Sequence, residues 1–147
     1  MPRTCSVAET LELIGERWSL LVLREVFLGV RRFDAIQVAT GAPRAVLATR
    51  LKKLVDVGVL RRETYREAGD RPRAEYRLTP AGRELQPVLT ALMQWGDRHL
   101  TWRNGPPLVV THADCGAPVR ATLRCAAGHV LDDTGRQLRA GPAQRPA

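Results

Sequence analysis

Apolar and polar positions along the chain alternate with helical spacing through most of its first hundred residues, and the breaks in that spacing mark the elements. Val7, Leu11 and Ile14 recur along one face until Gly15 interrupts them, which predicts a short amphipathic helix. The following stretch "WSLLVLREVFLG" is apolar on nearly every side, as a helix surrounded by neighbours must be, and Gly29 closes it. It is the expected centre of the core. After a basic turn "VRRF", residues 33–39 form a short helix, and "TGAP" turns the chain tightly into the next one.

That next helix, expected over residues 43–57, carries two patterns. At about 100° per residue, Val46, Leu47, Leu51, Leu54 and Val55 fall on one broad arc, the spacing of a helix packed on a core. Ala45, Ala48, Thr49, Lys52 and Lys53 fall on the opposite arc. Pro43 suits the first helical turn, and Gly58 suits a left-handed residue closing the helix. Short side chains permit close approach and cations favour an anionic partner, the combination that a helix needs to reach base edges in a major groove between phosphates. Arg50 projects onto the apolar arc, so it is expected to pair with a carboxylate of an earlier helix or to reach a phosphate around the edge.

Period-two alternation then replaces the helical pattern. Residues 59–65 and 75–79 read as two strands joined by the polar tip "REAGDRPRA", a hairpin. Its arginines at 61, 62, 66, 71, 73 and 77 outnumber the carboxylates at 63, 67, 70 and 75, and Arg66, Arg71 and Arg73 crowd the tip. A basic hairpin directly after a candidate recognition helix is a wing that grips phosphates or enters the minor groove. Thr79 and Pro80 signal a long terminal helix with apolar residues at 85, 88, 89, 92, 95 and 100. Pro87 lies inside it, so either the helix bends there or its regular part begins late. A seam of Leu89, Leu92 and Trp95 calls for a partner, either the same helix of a second subunit or the chain itself. His99 reads as a helix-surface residue.

Composition adds charge to this picture. The chain has 147 residues, 44% hydrophobic, with a formal net charge of +8 and only seven aromatic residues. Such a balance favours a polyanionic partner, while the few aromatics argue against stacking single-stranded RNA. The longest aliphatic run, residues 20–23, is too short for a bilayer and "MPRTCSVAET" has no signal-like apolar stretch, so no membrane partner and a cytoplasmic location are expected. No phosphate loop, nucleophilic triad or paired carboxylates occur in the core, and no catalysis is expected.

Four segments, "CSVAETLELIGERWSLLVLREVFLGVRRFDAI", "VLATRLKKLVDVGVLRRETY", "YRLTPAGREL" and "LMQWG", resemble the HxlR-type transcriptional regulators, winged helix-turn-helix proteins related to the MarR group. The resemblance spans residues 5–100, two-thirds of the chain, with the segments in order. It implies a homodimer formed by the first and last helices, binding to palindromic promoter DNA, and repression or activation of nearby genes in response to a small molecule or a thiol-reactive signal. Carried over residue by residue, the recognition helix falls on residues 43–57, which makes Arg44, Ala45, Ala48, Thr49, Lys52 and Lys53 the DNA-facing set, with Arg66, Arg71 and Arg73 on the wing. Some members sense oxidants through a cysteine before the first helix, where this chain has Cys5 near Arg3; a thiolate sensor and a packed thiol are both open. A protein-interaction adapter binding an acidic partner is the alternative function, against which Ala45, Ala48 and Thr49 argue by their small size.

The expected fold is mainly α, of the α+β class: a winged helix-turn-helix with a two-stranded wing and a dimerisation helix over residues 1–103, a small β-rich appendage over 104–134, and a flexible tail over 135–147. Within the appendage, short β-like runs are expected at 108–111, 119–123 and 130–131. His112 and Cys115, then Cys125 and His129, supply two ligand pairs with nine residues between them, which on facing knuckles would suit tetrahedral zinc. Longer family members end in a Cys-x2-Cys-Gly arrangement; here Gly128 stands where its second cysteine would, and His129 follows one position later. No cofactor is otherwise required, and packed thiols or a disulfide between Cys115 and Cys125 are the alternative.

Overall fold

The computed structural model describes residues 5–100, 103–139 and 141–142. Its chain divides into two units, residues 5–86 and the part that begins at Pro87. The first unit holds four helices, α1 (Ser6–Ile14), α2 (Arg17–Phe27), α3 (Phe33–Thr40) and α4 (Arg44–Asp56), then a hairpin of β1 (Leu60–Tyr65) and β2 (Arg73–Leu78), and the short α5 (Pro80–Arg83).

Helix α2 is the hub, packing on α3, α4 and β2. Val22 and Leu23 have no exposed surface, nor have Ile36 of α3 or Leu47, Leu51 and Leu54 of α4. Those six side chains contribute roughly 1.5–3 kcal/mol each by leaving water. Gly41, at φ 71°, ends α3 in the left-handed region, and its N–H donates to the Gln37 carbonyl at 2.9 Å. Pro43 is the N-cap of α4 in extended conformation, one position outside the first turn expected for it, and Gly58 turns the chain into β1 at φ 78°.

The hairpin pairs antiparallel from Leu60 with Leu78 to Tyr65 with Arg73. Strand β2 therefore begins two residues earlier than the alternation suggests, and Arg73 belongs to it, leaving 66–72 as the tip. The turn "VRRF" also has a different role: Arg32 forms an isolated antiparallel bridge with Glu75, and the Tyr76 N–H donates to the Arg31 carbonyl at 2.8 Å. A single rung thus adds a third strand position to the sheet.

Thr79 joins the wing to the core. Its hydroxyl donates to the Gly58 carbonyl at 2.5 Å and accepts from the Gly82 N–H at 3.0 Å, capping α5, whose first residue is Pro80. The terminal helix begins late, as α6 (Gln86–His99), with Pro87 in its first turn where the missing N–H costs nothing. Its exposed seam is Val88, Leu92 and Trp95, whereas Leu89 is only half-exposed. His99 is exposed, with its ring centroid 4.9 Å from that of Trp95.

Beyond α6 the expected β runs form isolated bridges, Thr111 with Pro118 and Arg124 with Val130, instead of strands. Proline and glycine punctuate the segment too often for a ladder. The Gln94 side chain substitutes for a strand partner: its amide donates to the Val119 carbonyl at 2.7 Å and accepts from the Ala121 N–H at 2.9 Å. Residues 135–139 and 141–142 carry no regular strand or α-helix, and the rest of the expected tail, residues 140 and 143–147, lies outside the described residues.

Gly82 offers a direct check on the Thr79 junction. A Cβ there would stand 2.1 Å from the Val59 carbonyl oxygen, a backbone atom that cannot swing aside. Gly82→Ala is expected to destabilise the protein by about 1–3 kcal/mol in urea unfolding; unchanged stability would mean that this junction is loose.

Candidate nucleic-acid interface

Burial of Leu47, Leu51 and Leu54 turns the opposite arc of α4 outward. Ala45, Ala48, Thr49 and Lys52 are exposed along it, as the helical projection requires. The Thr49 hydroxyl donates back to the Ala45 carbonyl at 3.0 Å, so its own helix satisfies it. Lys52 pairs with Asp56 one turn on, at 2.6 Å and in the open, an interaction weak enough for a phosphate to replace.

Two cations of this helix are engaged elsewhere. Lys53 is only half-exposed, and its ammonium donates to the Glu12 carbonyl at 2.6 Å, at the C-terminal end of α1 where carbonyls lack helical partners. It therefore ties α4 to α1 and leaves the outward strip. Arg50 meets the other expectation and pairs with Glu16, just before α2, at 2.5 Å. Arg44 opens α4 with its guanidinium 4.7 Å from the Phe33 ring centroid and 3.2 Å from the Asp34 carboxylate, both partners on α3. It stays largely exposed, aimed from the start of the helix.

On the wing, like charges face each other across the ladder, Arg61 opposite Arg77 and Glu63 opposite Glu75. Such pairs repel. Shifted pairings offset the repulsion: Arg61 with Glu63 at 2.7 Å, Arg77 with Glu63 at 2.9 Å, and Arg77 with Glu75 at 2.5 Å. The hydrogen bond to Glu75, with the attraction of Glu75 and Glu63, raises the affinity of Arg77 for its proton above the ordinary arginine value. Glu67 pairs with Arg32. Glu63, Glu67 and Glu75 are thus engaged, while among the described residues Asp70 makes no ion pair and Arg62, Arg66, Arg71 and Arg73 have no carboxylate partner. All four are exposed, and Arg66 is steadied only by the Asp70 carbonyl at 3.2 Å. Arg62 and the exposed Arg31 are additions to the expected set; neither stood out from the other arginines of its segment.

The remaining candidates do not join this surface. Cys5 is the exposed residue before α1, so the packed-thiol alternative is not met in the single chain, and Arg3 lies outside the described residues. In the appendage, His112, Cys115, Cys125 and His129 are all exposed and sit on two tight turns with Gly116 and Gly128 at positive φ. Only one pair meets, Cys125 Sγ with His129 Nδ1 at 3.5 Å, while His112 leans toward Asp114. Among the described residues no three His, Cys, Asp or Glu side chains converge on a point that a metal ion could occupy. The structure thus brings only Cys125 and His129 of the four candidate zinc ligands together, and Cys115 and Cys125 are free thiols.

An outward strip of short side chains, followed by a wing with uncompensated arginines, matches one family model, that of the HxlR-like helix-turn-helix, over residues 13–104. The chain belongs to this family. An HTH-type transcriptional regulator of Mycobacterium tuberculosis is 48% identical over 120 residues, covering 82% of this chain and 75% of the relative. A second, of Synechocystis, is 40% identical over 93 residues, covering 63% and 67%. Among solved structures, PA1607, described as a transcription factor, superposes with a TM-score of 0.81 at 32% identity over 94% of this chain and 96% of that one. The oxidised redox regulator HypR superposes at 0.60 with 28% identity, over 67% of this chain and 100% of that one. This HxlR-like protein is accordingly a transcriptional regulator with a DNA-binding helix-turn-helix, and not an enzyme. No helix of the described residues is long and apolar enough to cross a membrane.

The side-chain sorting separates cations that meet phosphate from those that hold the fold. Lys52→Ala and Arg71→Ala are each expected to reduce the salt dependence of DNA binding by about one unit of slope. Lys53→Ala is expected to lower the thermal midpoint and leave that slope unchanged. Fluorescence anisotropy across a salt series checks all three, and an unchanged slope for both Lys52→Ala and Arg71→Ala would mean that the DNA face lies elsewhere.

Proposed function

We propose that this HxlR-like regulator acts as a homodimer on palindromic promoter DNA, with α4 in the major groove and the wing on flanking phosphates, and that it controls nearby genes in response to a small molecule or thiol-reactive signal. The observation that carries the DNA-binding mode is the exposed strip Arg44, Ala45, Ala48, Thr49 and Lys52 together with the unpaired wing arginines Arg66, Arg71 and Arg73. A protein-binding surface would present large anchors there, and none is present.

Support for the homodimer comes from apolar surface that a lone chain leaves in water. Val7 and Leu11 of α1 are 66% and 55% exposed, and Leu92 and Trp95 of α6 are 53% and 55% exposed at helical spacing. A second copy covering such faces doubles the DNA-binding surface, which suits a site with twofold symmetry. A thiol-reactive signal is supported by the exposed Cys5 at the start of α1 and by the similarity to a structure described as a redox regulator.

Binding of the reduced protein to the duplex upstream of its coding region, against a shuffled duplex of equal composition, tests this reading. A preference of roughly a thousandfold or more is expected at physiological salt, with diamide abolishing it in the wild type and failing to do so in Cys5→Ser. Equal binding of both duplexes would contradict a specific regulator of its own promoter, and release of Cys5→Ser by diamide would remove the Cys5 signal.

A further inference from the structure

A two-stranded hairpin on its own is marginal in water, so the direction of the wing tip needs an anchor outside its own ladder. Contacts from both strands and from the tip converge on one residue, Arg32, at the N-cap of α3. Its backbone forms the bridge to Glu75 of β2, beside the bond from the Tyr76 N–H to the Arg31 carbonyl. Its guanidinium lies 4.6 Å from the ring centroid of Tyr65, the last residue of β1. The same guanidinium pairs with Glu67, the second residue of the tip, whose carbonyl in turn accepts from the Asp70 N–H at 3.0 Å. One side chain thus reaches β1 and the tip while its backbone holds β2.

We infer that Arg32, Tyr65 and Glu67 form a clamp that fixes the attitude of the wing against the helix-turn-helix, making Arg32 a positioning residue for the phosphate contacts of Arg66, Arg71 and Arg73. The inference rests on the DNA-binding reading of the wing. Each contact is half-exposed and individually weak, but they share one guanidinium, so the ordering of that side chain serves both. The hydrogen bond to Glu67, with the further attraction of Tyr65, Glu67 and Glu75, raises the proton affinity of the guanidinium. A wing that samples other attitudes lowers the fraction of protein competent to bind, and apparent affinity falls by that fraction.

The clamp and simple charge counting make opposite predictions for Glu67. This acid lies among cations that face DNA, and Glu67→Gln raises the formal net charge from +8 to +9, so charge counting alone expects tighter binding. The clamp expects weaker binding, about fivefold from the loss of an ion pair and its stacked partner.

The test uses the full chain with Glu67→Gln and Arg32→Lys, the second preserving charge but not the planar stacking group. Hydrogen exchange without DNA is expected to speed up at residues 66–72 in both variants while α4 stays protected. Anisotropy on the upstream duplex is expected to show both variants binding about fivefold more weakly, with Tm unchanged. Unchanged exchange at 66–72 overturns the clamp whether or not the protein binds that duplex, so its failure is distinguishable from failure of the DNA reading. Faster exchange with unchanged or tighter binding, measured on the upstream duplex or on a random-sequence duplex at low salt, overturns the positioning role.

Discussion

Burial of Leu47, Leu51 and Leu54 on the α2 side of α4 fixes the rotation of that helix about its axis, and every functional assignment follows from that angle. Exposing the three leucines would cost roughly 5 kcal/mol or more, comparable to the whole stability of a small domain. The helix cannot turn, and Ala45, Ala48, Thr49 and Lys52 must face outward. Arg50 and Lys53 reinforce the setting from one side of the apolar arc, through Glu16 and the Glu12 carbonyl. Two of the basic residues in the helix therefore help to aim it, and the rest are left for the partner.

The same division governs the wing. Glu63 and Glu75 neutralise Arg61 and Arg77 near the base, where the ladder would otherwise be repulsive, and Glu67 is drawn away to Arg32. Among the described residues, Arg66, Arg71 and Arg73 stay without an ion-pair partner at the tip because Glu67 is engaged by Arg32, while Asp70 remains exposed beside them. A stiff ribbon with a charged end can meet phosphate in a defined place; a loose one would give only unspecific attraction.

How much was legible depended on whether a residue's partner lay within one period of it. The helices, the left-handed Gly58 and the small outward strip of α4 follow from local spacing. The Arg50 partner was foreseeable because a half-buried cation needs a carboxylate. Arg32 was not, since a one-residue bridge has no periodicity and its partners, Tyr65 and Glu67, are more than thirty residues away. Lys53 was misplaced for a related reason: a long side chain at the edge of an arc can fold toward a neighbouring helix that a projection omits. In α6, Val88 replaces Leu89 on the exposed seam because hydrophobicity alone does not reveal which side of a mostly apolar helix is covered. In the appendage, the spacing of His112, Cys115, Cys125 and His129 suggested a common ligand set, whereas ligation depends on where the two turns stand in space, which spacing does not encode.

The proposed DNA-contacting surface joins the outward strip of α4 to the wing tip. The most direct measurement is a backbone amide chemical-shift titration of the reduced protein with its upstream duplex. The largest changes are expected at residues 44–52 and 66–73, with the turns around His112 and Cys125 undisturbed. Principal changes in those turns or on the exposed face of α6, with residues 44–52 unaffected, would contradict it.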